Sequence, residues 1–126
     1  MFKDRRSSAI VAVKDIDRAR KFYGETLGLV PIEQYQTDEL TVYRTGSTEL
    51  TVYVSDFAGT NKANAVAWDA GDETEKLVAE LKGKGVVFEH YPDMPGELNG
   101  DIHEAGGMKL VWFKDPDGNI LHFLGT

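Results

Sequence analysis

The chain has no cysteine, which excludes disulfides, thiolate metal sites and cysteine nucleophiles, so any metal ion would need His, Asp or Glu ligands. Histidine is scarce as well: His90, His103 and His122 are the only three. No apolar run approaches the roughly 20 residues of a membrane span. The basic N-terminal stretch MFKDRRSSAIVAV lacks an apolar segment of signal-peptide length. The expectation is a cytoplasmic protein without membrane association. Positive charge is in deficit, with 14 Lys and Arg against 21 Asp and Glu, a net charge of -7. Such a chain has no basic stripe to meet a phosphate backbone, which argues against nucleic acid as a partner.

What is present is 126 residues, 41% of them hydrophobic, enough for one domain with a real core and too few for two independent ones. The apolar run Ala9 to Val13 reads as a strand. Asp15 then caps a segment with apolar residues at Ile16, Ala19, Phe22, Tyr23 and Leu27, and Gly28 stops it: an amphipathic helix. The same grammar returns as the run Ala65 to Ala70, an Asp72-x-x-Glu75 helix start, the stripe Leu77, Val78 and Leu81, and a stop at Gly85. Asp15 to Asp72 and Gly28 to Gly85 share one offset, 57 residues, which argues for a structural duplication.

Three strand-like runs follow each helix: Val30 to Gln36, Thr41 to Arg44 and Glu49 to Val54, then Val86 to Tyr91, Met108 to Phe113 and Ile120 to Leu124. Each half therefore reads βαβββ. Pro92 to Gly107 is an extra excursion in the second half, expected as a flexible or functional loop. Asp115-Pro116-Asp117-Gly118 has the chemistry of a type I turn between antiparallel strands.

The segment VKDIDRARKFYGETLGL, the pair Glu49-Leu50 in a strand, and the ending FKDPDGNILHF together resemble the glyoxalase, bleomycin-resistance and extradiol-dioxygenase superfamily, also called vicinal oxygen chelate. The resemblance spans nearly the whole chain. It implies an α+β fold of two βαβββ modules, about 7–54 and 63–126 with a linker at about 55–62, curled into half-barrels that enclose a small-molecule cleft. For a short chain it also implies a homodimer. Metal-binding members carry ligands on the first and last strands of the halves. Those positions fall here on Ser8, Ala65, Glu49 and His122, the last standing where the metal enzymes usually show glutamate. Ser8 and Ala65 are not strong ligands, so only Glu49 and His122 remain from that set.

Alternation along the strand puts Glu49 on one face with Thr51 and Tyr53, opposite Leu50, Val52 and Val54. His122 shares a face with Ile120 and Leu124, which suggests a lined pocket or a satisfied core histidine. His103 would reach a site if the loop from Pro92 to Gly107 folds over it. Tyr43, Tyr53, Trp68, Tyr91 and Trp112 are candidates for an aromatic wall.

Two functions compete. One is a bleomycin-resistance-like protein that binds a small molecule without metal or other cofactor, using Glu49, His122, His103, Tyr43, Tyr53 and Trp112, with Ser8 and Ala65 beside them. The other is an enzyme: a lyase, isomerase or ring-cleaving dioxygenase dependent on Fe, Ni, Mn or Zn with Glu49 and His122 as ligands, or a metal-free enzyme using Glu49 or His122 as acid or base. The lost ligand positions and the acidity favour the first.

Overall fold

A computed structural model describes all 126 residues, which divide into two compact units, Met1–Thr60 and Asn61–Thr126. The division falls inside the segment expected as a linker.

In the first unit, β1 (Ala9–Val13) leads to α1 (Ile16–Arg20), whose N-terminal Asp15 side chain accepts the Arg18 N–H at 3.0 Å. The helix then widens into a π-helical segment, Lys21–Thr26, and Gly28, at φ 72°, ends it. The strands β2 (Val30–Pro31), β3 (Leu40–Thr45) and β4 (Thr48–Val54) complete a sheet of order β1-β4-β3-β2. Within it β1 and β4 pair in parallel. Val11, Val13, Leu50, Val52 and Tyr43 pack with Ala19 and Tyr23 of the helix to form the unit's core, all at most 2% exposed.

The expected strand Val30 to Gln36 stops after two residues. One more ladder bond follows, from the Ile32 N–H to the Val42 carbonyl at 2.8 Å, and the chain then turns into a 3-10 helix, Glu33–Tyr35. The Gln36 amide pins that turn by donating to the Ile32 carbonyl at 2.8 Å and the Val42 carbonyl at 3.3 Å.

The second unit repeats this plan. It contains β5 (Asn64–Gly71), α2 (Thr74–Gly83), β6 (Phe88–Glu89), β7 (Glu97–Asn99), β8 (Ile102–Ala105), β9 (Met108–Lys114) and β10 (Ile120–Gly125). β10 lies between β5, its parallel partner, and β9, and the far side of β9 carries both β6 and β8. Val66, Ala70, Phe88, Val111, Phe113, Leu121 and Phe123 are buried. The excursion Pro92 to Gly107 is a partly ordered hairpin rather than a plain loop, because β7 and β8 pair through residues 97–104 and β8 turns into β9 at Gly106-Gly107. Both of those glycines have positive φ, which a two-residue hairpin turn of primed type requires.

Asp72 does not cap α2. The N-terminal position is Glu73, whose side chain makes no capping bond. At the other end Val86 N–H reaches the Leu81 carbonyl and Gly85 N–H the Lys82 carbonyl, the paired bonds of a Schellman stop, with Gly85 at φ 88°. No helix is long and apolar enough to cross a membrane.

Candidate functional site

The residues with the most chemistry gather on one face of the second sheet. In β10, Leu121 and Phe123 turn to the core, and His122 points the other way. His122 pairs with Trp112 across the β9 ladder, and their rings stack, centroids 4.5 Å apart and planes inclined by 19°. Trp112 also meets Tyr91 edge-on at 5.4 Å and His103 at 5.1 Å. Its indole Nε1 donates to Asn64 Oδ1 at 3.1 Å, which fixes the ring from β5, across the intervening β10. Three of the residues expected at a site, His103, Trp112 and His122, are therefore in one aromatic cluster, joined by Tyr91 and, at its edge, His90.

The protonation of this cluster follows from its hydrogen bonds. His122 Nδ1 lies 3.0 Å from the Val111 carbonyl, which can only accept, so Nδ1 carries the proton and Nε2 is the free acceptor. Nε2 has no partner within the chain and is not sealed from solvent. Burial depresses the pKa of His122, and the Val111 carbonyl opposes this only in part. His103 is the same tautomer with the other nitrogen engaged: its Nε2 accepts the Tyr91 backbone N–H at 2.9 Å, which leaves the proton on Nδ1. That buried Nδ1 makes no hydrogen bond of normal geometry. Burial lowers the His103 pKa, with the Leu110 carbonyl pulling it back and the charge of His90 pushing it further down. At the rim, His90 Nε2 and Lys82 Nζ both meet the Asp101 carboxylate, at 2.8 Å and 3.1 Å, and the His90 bond is the main reason its pKa is lowered.

The candidates in the first unit do not form one group. Glu49, Thr51 and Tyr53 do share the half-exposed face of β4, but Glu49 is engaged: Arg6 donates to its Oε1 at 2.6 Å and to the Ser47 carbonyl at 2.7 Å. Tyr43 lies on the opposite face, 1% exposed and packed against Tyr23 with centroids 6.3 Å apart. Ser8 is exposed just before β1. In the second unit, Ala65 occupies an irregularity where β5 slips one residue against β10, between Asn64 and Val66. Trp68 turns to the helix-covered side, across the ladder from Phe123. Arg6 and Asn64 carry no signal in the sequence; each is a polar residue outside any motif, and only the fold brings it to its partner.

A catalytic divalent ion needs about three protein donors with an open position. No three His, Asp or Glu side chains converge to hold one. Glu49 is bound to Arg6, and Ala65 has no donor atom. Within each unit taken by itself, the side chains present do not assemble a three-donor metal site.

The sequence pattern of the Glyoxalase/Bleomycin resistance protein/Dioxygenase superfamily matches residues 6–123. The chain belongs to that superfamily. None of the curated proteins is a significant sequence match. Among solved structures, a lactoylglutathione lyase from Agrobacterium tumefaciens superposes with a TM-score of 0.74 at 16% identity, covering 97% of this chain and 93% of that one. A genomically encoded fosfomycin resistance protein, FosX, from Listeria monocytogenes gives 0.69 at 13% identity, covering 96% and 92%. A glyoxalase family protein from Bacillus anthracis gives 0.67 at 22% identity, covering 95% and 93%. At these identities the likeness is one of fold, and fold does not carry a reaction with it.

Proposed function

We propose that this superfamily member is a cytoplasmic, homodimeric protein that binds a small molecule against the Trp112–His122 platform without a metal ion. The observation that carries this reading is the His122 imidazole. It is kept neutral by burial, held through Nδ1 by the Val111 carbonyl, stacked on an indole, and left with Nε2 as an acceptor. A ligand with a flat or apolar portion and one hydrogen-bond donor matches that surface. Ala67, beside His122 across the ladder, is small and exposed, so access from the β5 side is open. Ala65 belongs to this reading as a peripheral contact, and His103 as the residue that holds the Tyr91 backbone. Solved relatives named as a lactoylglutathione lyase and a fosfomycin resistance protein support small molecules as the ligand class.

One observation favours a second reading. A histidine with Nδ1 bonded to a backbone carbonyl and Nε2 free is arranged as metal-ligating histidines usually are. With Glu49 released from Arg6 and further donors from a second copy, a divalent-metal lyase, isomerase or dioxygenase would result.

Metal content and ligand response separate the two. Inductively coupled plasma mass spectrometry is run on protein purified without chelator, as isolated and after loading with iron, nickel, manganese or zinc. The same samples are screened for ligands by tryptophan fluorescence, with Trp112→Phe as the control. Trace metal only, with a saturable quench lost in Trp112→Phe, is the expected result. Near-stoichiometric metal that disappears in both His122→Ala and Glu49→Ala overturns it in favour of the metal enzyme.

A further inference from the structure

On the helix-covered side of the first unit a hollow of about 490 Å³ opens between the π-helical segment, the 3-10 turn and β3. This volume is within the range of small-ligand pockets. Its floor contains Thr41, fully buried, and Tyr43, 1% exposed. The Thr41 hydroxyl donates to the Gln36 side-chain oxygen. The Tyr43 hydroxyl has no hydrogen-bond partner in the chain and is not sealed off, so a nearly buried phenol directs a free O–H into the hollow.

Gly24 forms part of the wall. Its backbone is helical with no positive φ, so the local conformation does not require glycine, and glycine in a helix costs about 1 kcal/mol against alanine. A Cβ there would stand 4.0 Å from the Tyr43 hydroxyl and 3.9 Å from the Leu29 carbonyl, in ordinary contact with both. The missing side chain leaves the space beside the phenol unfilled. Short π-helical stretches are rare and often mark functional sites.

The charge around the opening is acidic. Glu33 and Asp38 line it with carboxylates that no cation of the chain meets. The guanidinium of Arg20 is turned to the carbonyls of Thr37 and Leu40. Two free carboxylates and hydroxyl oxygens on the floor make an acceptor-rich site.

We infer that this hollow is a second binding site, separate from the Trp112–His122 platform, for a small aliphatic primary amine. Its ammonium is met by the Glu33 and Asp38 carboxylates and by the Tyr43 hydroxyl oxygen. Each contact is partly solvated, so the affinity is modest.

The test is an amide NMR titration of the full chain with putrescine, with butanediol as the uncharged analogue of equal length. Saturable shifts are expected at residues 20–43, half complete near 1 mM, a binding free energy of about -4 kcal/mol. Butanediol leaves them unmoved. The double variant Glu33→Gln, Asp38→Asn weakens the shifts roughly tenfold. Gly24→Leu, which fills the hollow and favours helix, abolishes them while the protein stays folded. Absence of saturation at about 10 mM, equal response to butanediol, or unchanged binding in the double variant each overturns the site. Tyr43→Phe is the finer check: it keeps the core ring and lowers affinity a few-fold.

Discussion

The Trp112 indole lies flat on the His122 imidazole at 4.5 Å, and the Asn64 carboxamide holds it there through Nε1. Position and chemistry are thus set by different residues: Asn64 orients the indole, and Val111 orients the imidazole. Asn64→Ala leaves the indole N–H without its acceptor in a site only partly open to water, which costs about 1 kcal/mol. The expected outcome is a small fall in the urea midpoint with a changed tryptophan emission. Trp112→Ala removes a nearly buried aromatic and costs about 3–5 kcal/mol. If Asn64→Ala leaves both midpoint and emission untouched, the indole is not held as described.

The buried histidines make stability fall in acid. Burial lowers the folded-state pKa of His103, so the unfolded chain, with a pKa near 6.5, binds the proton more readily. Stability is therefore fully present above about pH 6.5 and declines as pH falls below it, toward the depressed folded value. Protonating His103 also places an N–H against the Tyr91 N–H that its Nε2 now accepts. His103→Gln keeps an acceptor for that N–H without a titrating group. Urea unfolding at pH 7.5 and 5 is expected to show a smaller loss in the variant than in the native chain. An equal loss in both would remove His103 as the cause.

Much of the fold was legible because its landmarks are punctuation. Asp15 and Gly28 delimit the first helix as the sequence predicts, and Asp115 to Gly118 closes with the Gly118 N–H on the Asp115 carbonyl at 3.0 Å. The repeat offset misleads at a single point. From Asp15 to Gly28 the chain is one residue longer than from Glu73 to Gly85, and the π-helical segment absorbs the extra residue. A helix widened by one residue leaves the same apolar spacing, so the pattern does not reveal it. The hairpin at β7 and β8 was hidden for another reason: Glu97 and Asn99 are exposed edge residues with no apolar alternation, and only backbone pairing makes them a strand. At the site, ring residues were legible as types. Their grouping was not, since one residue of register decides whether Tyr43 joins Glu49 or turns its back on it.

Arg6 and Glu49 form a half-exposed pair. Such pairs contribute about 0.2–1 kcal/mol, so Arg6→Ala lowers stability by no more than that. Its larger effect is chemical, because it frees the one carboxylate on the half-exposed face of β4 that was expected as a ligand. Metal loading followed by mass spectrometry is expected to stay at trace level in the native chain and to rise in Arg6→Ala if Glu49 is a latent donor. Trace metal in both would show that the donor set is deficient whatever Arg6 does.

Gly125 is required by space, not by dihedral angle. A Cβ there would fall 2.2 Å from the Gly71 carbonyl oxygen and 2.7 Å from the Thr74 hydroxyl, and the first of these is backbone that cannot swing away. The same corner buries Thr74 completely, with its hydroxyl unpartnered, so there is no slack to absorb a methyl group. Gly125→Ala must push β10 away from β5 or leave the strand end unpaired, at a cost of about 1–3 kcal/mol for overpacking. Gly83 is the contrasting case: it ends α2 without positive φ, and a Cβ would meet nothing within 4 Å. Gly83→Ala stabilises by about 0.4–1 kcal/mol through the unfolded chain. Urea midpoints moving in opposite directions for these two substitutions would confirm that the packing of β10 on β5 is as tight as described; a neutral Gly125→Ala would mean the corner opens freely.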